Sequence, residues 1–268
     1  MKERDAFEAT VARWNHAAEP YGRFIQKWVV FREFADRLVG EVPASFDGVA
    51  VDLGAGTGLV TARLLERCPR ARVWLADPAE AMLVLARELL GDSIEGALRC
   101  SAEELAPELP DFDVALSSAA MHMADLERVI ASVAARLRPG GCFLFNLWGH
   151  SFDETASADR WSTWRESALE ALRRHGHHSV QLPESRPTRP VSRRSIEAWG
   201  VAAGLRATEI RVEPAPVPAE LSLDCASLFA GFLADLSPAE RDEVLTTARS
   251  IANPEPLELA MVRVRLDR

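Results

Sequence analysis

The stretch VDLGAGTGLVT, Val51 to Thr61, joins an apolar run, an acid and glycines at every second position, Gly54, Gly56 and Gly58. Glycine adopts left-handed backbone angles without steric cost and lets a ligand approach the main chain closely, so this turn is the first candidate for binding chemistry. A dinucleotide fingerprint requires G-x-G-x-x-G, whose third glycine seats the helix against the strand beneath a pyrophosphate. Counted from Gly54, that third position is Leu59, and the glycine arrives one residue early at Gly58. Asp52, just before the glycines, would repel a diphosphate but attract an ammonium or lie near a sulfonium. Asp77, 21 residues after Gly56, stands where a carboxylate can accept both hydroxyls of a ribose. Together the glycine turn, the early acid and the late acid point to an adenosine that carries positive charge in place of phosphate.

Strand-like and helix-like segments alternate around these acids. VAVDL (49–53) is short and apolar, TGLVTARLLERC has helical spacing, ARVWLAD (71–77) is strand-like, and PAEAMLVLARELL is helical again. ALRC (97–100), FDVALSS (112–118), a helix over 126–137, a break at PGG and CFLFNLW (142–148) continue the series. Strands separated by helices imply crossover connections, so the expected fold class is α/β, a doubly wound, mostly parallel sheet with helices on both faces. Ligands bind outside the carboxyl ends of such strands, which directs the search to residues 52–58, Asp77, 100–103 and 117–122.

Five segments then fall in order: VDLGAGTG, LADPAEAML around Asp77, CSAEEL (100–105), SSAAMHMAD (117–125) and LRPGG (137–141). In these the chain resembles the class I S-adenosylmethionine-dependent methyltransferases, and within them the small-molecule enzymes similar to the ubiquinone-biosynthesis type, over nearly its whole length. The resemblance implies a seven-stranded Rossmann-like methyltransferase fold and S-adenosyl-L-methionine as cofactor. It implies that Gly54, Ala55, Gly56 and Gly58 bring backbone toward the methionine part and that Asp77 holds the ribose. Pro78 and Met82 would pack near the adenine, and Ser101, Ala102 and Glu103 would present backbone or side chain to its edge. Asp52 would act through the glycine turn or the amino group, which the carbonyls around Ser117 and Ser118 would receive. The alternative is a chain of the same fold that binds S-adenosylmethionine but hosts another reaction or only binds ligand.

His122, just past the fourth strand, has an unperturbed pKa suited to a general base and is the catalytic candidate; His150, after the fifth strand, is a weaker one. The expected reaction needs little else, because in-line methyl transfer depends mainly on alignment. The HGHH run at 175–178 lacks a carboxylate at ligand spacing, so no metal is expected.

Val11, Trp14, Ala18, Tyr21, Ile25 and Trp28 recur at steps of three or four, the stripe of an amphipathic helix. WNHAAEPYGRF resembles the family's lid segment, which makes Tyr21, the only tyrosine, a cofactor-side residue. Residues 1–45 are thus expected to form an N-terminal helical lid and 46–150 the S-adenosylmethionine-binding core. Residues 151–191 form a cap segment with Trp161, Trp164, Ala168 and Leu172 on one helix face, and 192–213 a core helix and strand. A helical insertion spans 214–256, one of its helices opening with a capping box at Ser237 and Glu240, and 257–268 is the last core strand. Apolar residues of these segments, Leu228, Phe229 and Phe232 among them, suggest a small, hydrophobic acceptor, and secondary-metabolite tailoring is a reasonable setting.

At 268 residues the chain forms one large domain or one domain plus a cap. A net charge of -9 works against a surface for phosphate backbones, so no nucleic-acid partner is expected. The Arg cluster from Arg173 to Arg194 reads as a solvated patch. No apolar run approaches the ~20 residues that span a bilayer and no leader is visible, so a cytoplasmic chain without membrane insertion is expected, as a monomer or homodimer. Cys68, Cys100, Cys142 and Cys225 lie too far apart for a metal knuckle and read as buried thiols.

Overall fold

The computed structural model describes residues 2–153, 162–179, 191–217, 221, 233, 236–251 and 257–268. Strands β1 (Val49–Leu53), β2 (Arg72–Ala76), β3 (Gly96–Leu98), β4 (Phe112–Ser118), β5 (Leu137–Trp148), β6 (Arg206–Val217) and β7 (Leu257–Asp267) form one sheet in the order β3-β2-β1-β4-β5-β7-β6. The pairs within β3-β2-β1-β4-β5 are parallel, and β7 runs antiparallel to both β5 and β6. Strand order reverses between β1 and β4, which places a ligand crevice at their carboxyl ends.

All five residues of β1 are buried, as expected for a strand covered on both faces. Its side chains alternate. Val49, Val51 and Leu53 join the cluster under α5 (Leu126–Arg136) and α7 (Arg193–Ala202), while Ala50 joins the cluster under α2 (Val29–Gly40) and α3 (Leu59–Arg67). Asp52 therefore faces the α3 side. The same parity on β5 sends Phe143, Phe145 and Leu147 to one cluster and Cys142 and Leu144 to the other, leaving Asn146 on the α2–α3 side.

Three boundaries differ from expectation. PGG does not end the element before β5. Strand pairing continues through it because Gly140 N–H donates to the Arg268 carbonyl and Arg268 N–H to the Gly141 carbonyl. β3 stops at Leu98, leaving Cys100 outside it. The N-terminal stripe belongs to α1 (Lys2–Lys27), and Trp28, in extended backbone, separates it from α2, whose Phe34, Ala35, Leu38 and Val39 pack on the sheet region.

In the C-terminal part, α6 (Ser162–Arg174) packs Ala168 and Leu172 against Val244 and Ala248 of α8 (Pro238–Ile251). The capping box forms: Ser237 N–H donates to Glu240 Oε2 at 2.9 Å and Glu240 N–H to Ser237 Oγ at 3.3 Å. Trp161, Cys225, Leu228, Phe229, Phe232 and the side chains of His150 and Trp164 lie outside the described residues. Among the described residues no helix is long and apolar enough to cross a membrane.

Gly58 caps α3 with φ +88°, and a Cβ there would sit 2.9 Å from Leu90 Cδ1 and 3.3 Å from Ala86 Cβ of α4 (Glu80–Leu90). Left-handed alanine costs ~1–2 kcal/mol and forced packing ~1–3 kcal/mol. Gly58→Ala is expected to destabilise the chain by roughly 2–5 kcal/mol on those terms, read as a lowered urea midpoint at unchanged slope.

Candidate functional site

At the carboxyl ends of β1, β2 and β4 lies a cleft of about 900 Å³ of empty space, part of it open to solvent. The glycine turn forms its floor. Gly54 and Gly56 have φ of +64° and +54° and line the cleft. A Cβ on Gly54 would lie 2.6 Å from Ala120 Cβ, so only glycine lets the turns after β1 and β4 meet. Ala55 and Gly58 do not line the cleft; Ala55 accepts the Gly58 N–H at 2.9 Å and so shapes the turn from behind.

Asp77, 7% exposed, lines the cleft and ties its walls together. Its Oδ2 accepts the Gly56 N–H at 2.9 Å and its Oδ1 the Ala79 N–H at 2.8 Å. Burial pushes its carboxyl above the ordinary range, partly offset by these two bonds. Pro78 and Met82 line the same side, Met82 nearly fully buried among Ala18 and Ala79.

Ser101, Ala102 and Glu103 also line the cleft. The Glu103 carboxylate is already engaged: Oε1 accepts the N–H of Asp125, the N-cap of α5, at 2.6 Å, and Oε2 lies 3.6 Å from Arg128 Nη1. This side chain braces α5, which leaves the backbone of 101–103 for any contact with a ligand.

Helix α1 crosses the open side with Trp14 and Tyr21, whose rings meet edge-on at 5.3 Å. Asn15 anchors it, its Oδ1 accepting the Ala81 N–H at 2.9 Å in the first turn of α4, where the N-cap residue Ala79 makes no side-chain cap bond. Phe7 and Thr10 join the lining and were not singled out. The signal for Phe7 was present, since it continues the stripe one turn before Val11.

The wall after β4 consists of Ser118, Ala119, Ala120 and the short turn Met121–Met123. Met121 and Met123 line the cleft, whereas half-buried His122 between them does not. Ser117 is fully buried on the opposite face from Ser118 and does not line the cleft. Asn146 is the functional-site neighbour that sequence reasoning missed. Its Oδ1 accepts the Ala119 N–H at 2.7 Å and the Ser118 hydroxyl at 3.1 Å. An amide within the apolar run CFLFNLW was the available signal.

Asp52 is not at the cleft surface. Strand parity turns it toward α3, where Oδ2 accepts the Thr61 hydroxyl at 2.7 Å and the Thr61 N–H at 3.2 Å. Burial pushes its carboxyl up to about 7, against the lowering effect of the Thr61 bonds, with the nearby Asp77 charge adding to the rise. The contact expected between Asp52 and a ligand ammonium is replaced by a tie between β1 and α3.

Among the described residues, the cleft lining holds two acids, Asp77 and Glu103, and no lysine or arginine. A diphosphate would find no cation there. The glycine cradle and the buried carboxylate at the β2 end instead fit an adenosine with a positively charged tail. Of the arginines of the 173–194 stretch, Arg173 and Arg174 pair with Glu170 and Arg193 Nη1 donates to the Ile210 carbonyl, while Arg186 and Arg189 lie outside the described residues. His175 of the HGHH run meets Thr247 at 2.8 Å, and no group of metal-ligating side chains occurs among the described residues.

The sheet order, the glycine turn and the cleft define a Rossmann-like fold of the methyltransferase class. Residues 50–141 match the family model described as a methyltransferase domain. The matched segment covers 50–141 of 268 residues, and over it the chain is similar to the class I S-adenosylmethionine-dependent methyltransferases. An uncharacterized methyltransferase of Mycobacterium tuberculosis is 35% identical over 150 residues, 55% of this chain and 56% of the relative. A malonyl-(acyl-carrier protein) O-methyltransferase of Geobacter sulfurreducens is 29% identical over 213 residues, 78% of this chain and 72% of the relative. The chain spans little more than half the length, 56%, of the first curated relatives it matches. Among solved structures, the YcgJ protein of Bacillus subtilis superposes with a TM-score of 0.55 at 17% identity, covering 88% of this chain and 98% of that one. At that identity the likeness is one of fold.

Proposed function

We propose that the chain transfers a methyl group from S-adenosylmethionine to a small, hydrophobic molecule, as a cytoplasmic monomer or homodimer, in secondary metabolism. The observation that carries this reading is the cleft itself: a glycine floor, a buried Asp77 at the β2 end and no basic side chain among the described lining. Gly54 and Gly56 offer backbone to the methionine part, with Ala55 and Gly58 setting the turn behind them. Asp77 receives the ribose, Pro78 and Met82 flank the adenine, and the backbone of Ser101, Ala102 and Glu103 meets its edge. Main-chain carbonyls around Ser117 and Ser118 receive the ammonium group. Tyr21 and Trp14 on α1 cover the cleft as part of the lid over 1–45, and Asp52 serves indirectly by fixing α3. The apolar side chains of Phe7, Met121 and Met123 support a hydrophobic acceptor.

When bound, S-adenosylmethionine supplies an electrophilic methyl on a sulfonium. The chain's task is to hold donor and acceptor in line and exclude water, and such alignment supplies ~7–11 kcal/mol of a barrier. The test is calorimetric titration with S-adenosylhomocysteine, followed by incubation with S-adenosylmethionine and cell extract and a search for products heavier by one CH₂. Binding without any methylated product would favour the alternative, a chain of this fold that uses the ligand for another purpose.

The part of His122 is read separately in that assay. A general base contributes ~10²–10⁴-fold. Because Met121 and Met123, not His122, line the cleft, His122→Gln is expected to lower turnover by less than about tenfold, below that range. A larger loss at unchanged S-adenosylhomocysteine affinity would restore His122 as the base.

A further inference from the structure

We propose that Asn146 is a positioning residue for the adenosyl ligand, acting through the turn after β4. The proposal rests on the reading of the cleft given above. Ser118 and Asn146 are register partners on adjacent strands, and parity places both side chains on the same face of the sheet. The Asn146 carbonyl oxygen reaches past the end of β4 to take the Ala119 N–H at 2.7 Å and the Ser118 hydroxyl at 3.1 Å. Asn146 is only 2% exposed, so its amide is fixed by its surroundings.

Ala119 is the single non-glycine residue with positive φ, 54°, among the described residues. The left-handed region disfavours an alanine by roughly tenfold or more, and such a conformation persists only where its surroundings impose it. Asn146 supplies that constraint, since its oxygen rewards the one backbone path that brings the Ala119 N–H and the Ser118 hydroxyl to the same point. The path matters because Ser118, Ala119 and Ala120 line the cleft, and the Ala120 methyl presses against Gly54 so closely that a Cβ there would lie at 2.6 Å. Relaxation at Ala119 would move the wall that faces the glycine turn. Asn146 touches no ligand and acts through the left-handed turn alone.

A merely structural Asn146 and a positioning Asn146 differ in how they couple to Ala119. Glycine at 119 adopts the left-handed angle without help, so it should replace part of what Asn146 does for the ligand. The experiment is a double-mutant cycle on S-adenosylhomocysteine affinity by calorimetry, with thermal unfolding to verify that each chain is folded. Asn146→Ala is expected to weaken binding about tenfold, the factor set by one left-handed alanine. Ala119→Gly is expected to strengthen binding about tenfold more in the Asn146→Ala chain than in the wild-type chain. Wild-type affinity in folded Asn146→Ala, or an equal effect of Ala119→Gly in both backgrounds, would overturn the proposal.

Asp77→Ala separates the two levels of inference. If it retains affinity, the cleft reading fails; if it loses affinity while Asn146→Ala does not, only the role of Asn146 fails. Should Asn146→Ala not fold, hydrogen exchange in the wild-type chain decides. The Ala119 amide is expected to be protected and to gain protection with S-adenosylhomocysteine, and exchange at the rate of a free peptide would overturn the proposal.

Discussion

Asp77→Ala is expected to weaken S-adenosylhomocysteine binding by roughly a hundredfold or more relative to the wild-type chain. The side chain is buried at the end of β2, yet it borders the cleft, and its two oxygens already clamp Gly56 and Ala79 through their N–H groups. Removing it has two consequences with one sign. The Gly56 amide loses the acceptor that holds the turn closed, and the ribose that the proposed reading seats here would lose a charged acceptor. Hydrogen bonds to charged groups are worth ~1.5–3 kcal/mol each, so two ribose contacts and a loosened turn amount to a loss of roughly a hundredfold or more. Asp77→Asn keeps one acceptor oxygen and is expected to fall between the two. Because burial raises the Asp77 carboxyl pKa, wild-type affinity should also decline as the pH is lowered into its titration. Retention of wild-type affinity by a folded Asp77→Ala chain would remove the cleft as the adenosyl site.

Much of this site was legible before the structure because its signals are local. VAVDL and FDVALSS are apolar runs closed by turn-forming or polar residues, and their limits coincide with β1 and β4. Gly54, Gly56 and Asp77 follow from the ligand rule for parallel sheets, which depends only on strand ends. Other features depend on which way a side chain turns or what lies across the sheet. Asp52 was read as a ligand-side acid because it stands next to the glycines in sequence, whereas strand parity sends it to Thr61. The PGG segment has the composition of a break but finds its hydrogen-bond partner in Arg268, at the far end of the chain. Asn146 gained meaning only when β5 was laid beside β4, since its partners are 27 and 28 residues away in sequence. Glu103 lines the cleft, but its engagement with Asp125 and Arg128 depends on where the α5 N-terminus lies, which its own segment does not reveal.

Asp52→Asn should stabilise the chain in alkaline solution, by an amount that shrinks as the pH falls and vanishes below about 4. Burial raises this carboxyl from 3.8 to about 7 in the folded chain, while in the unfolded chain it titrates near 3.9. Between those values the folded state holds a proton that the unfolded state has released. Stability therefore falls as pH rises through this window, and the loss is complete above about 7. A rise of that size corresponds to at most about 4 kcal/mol. Asparagine imitates the protonated carboxyl: its oxygen still accepts from Thr61, and its amide stands where Asp52 Oδ1 makes no hydrogen bond. In urea unfolding the two chains should agree within about 1 kcal/mol near pH 4, the variant should already be more stable by up to about 1.5 kcal/mol at pH 5, and at pH 8.5 it should be more stable by roughly 2–4 kcal/mol. Only the difference between the chains is read, because the remaining groups titrate alike in both. A variant less stable than wild type at pH 8.5 would mean that the ionised carboxylate, through Thr61, contributes more to the β1–α3 junction than its burial costs.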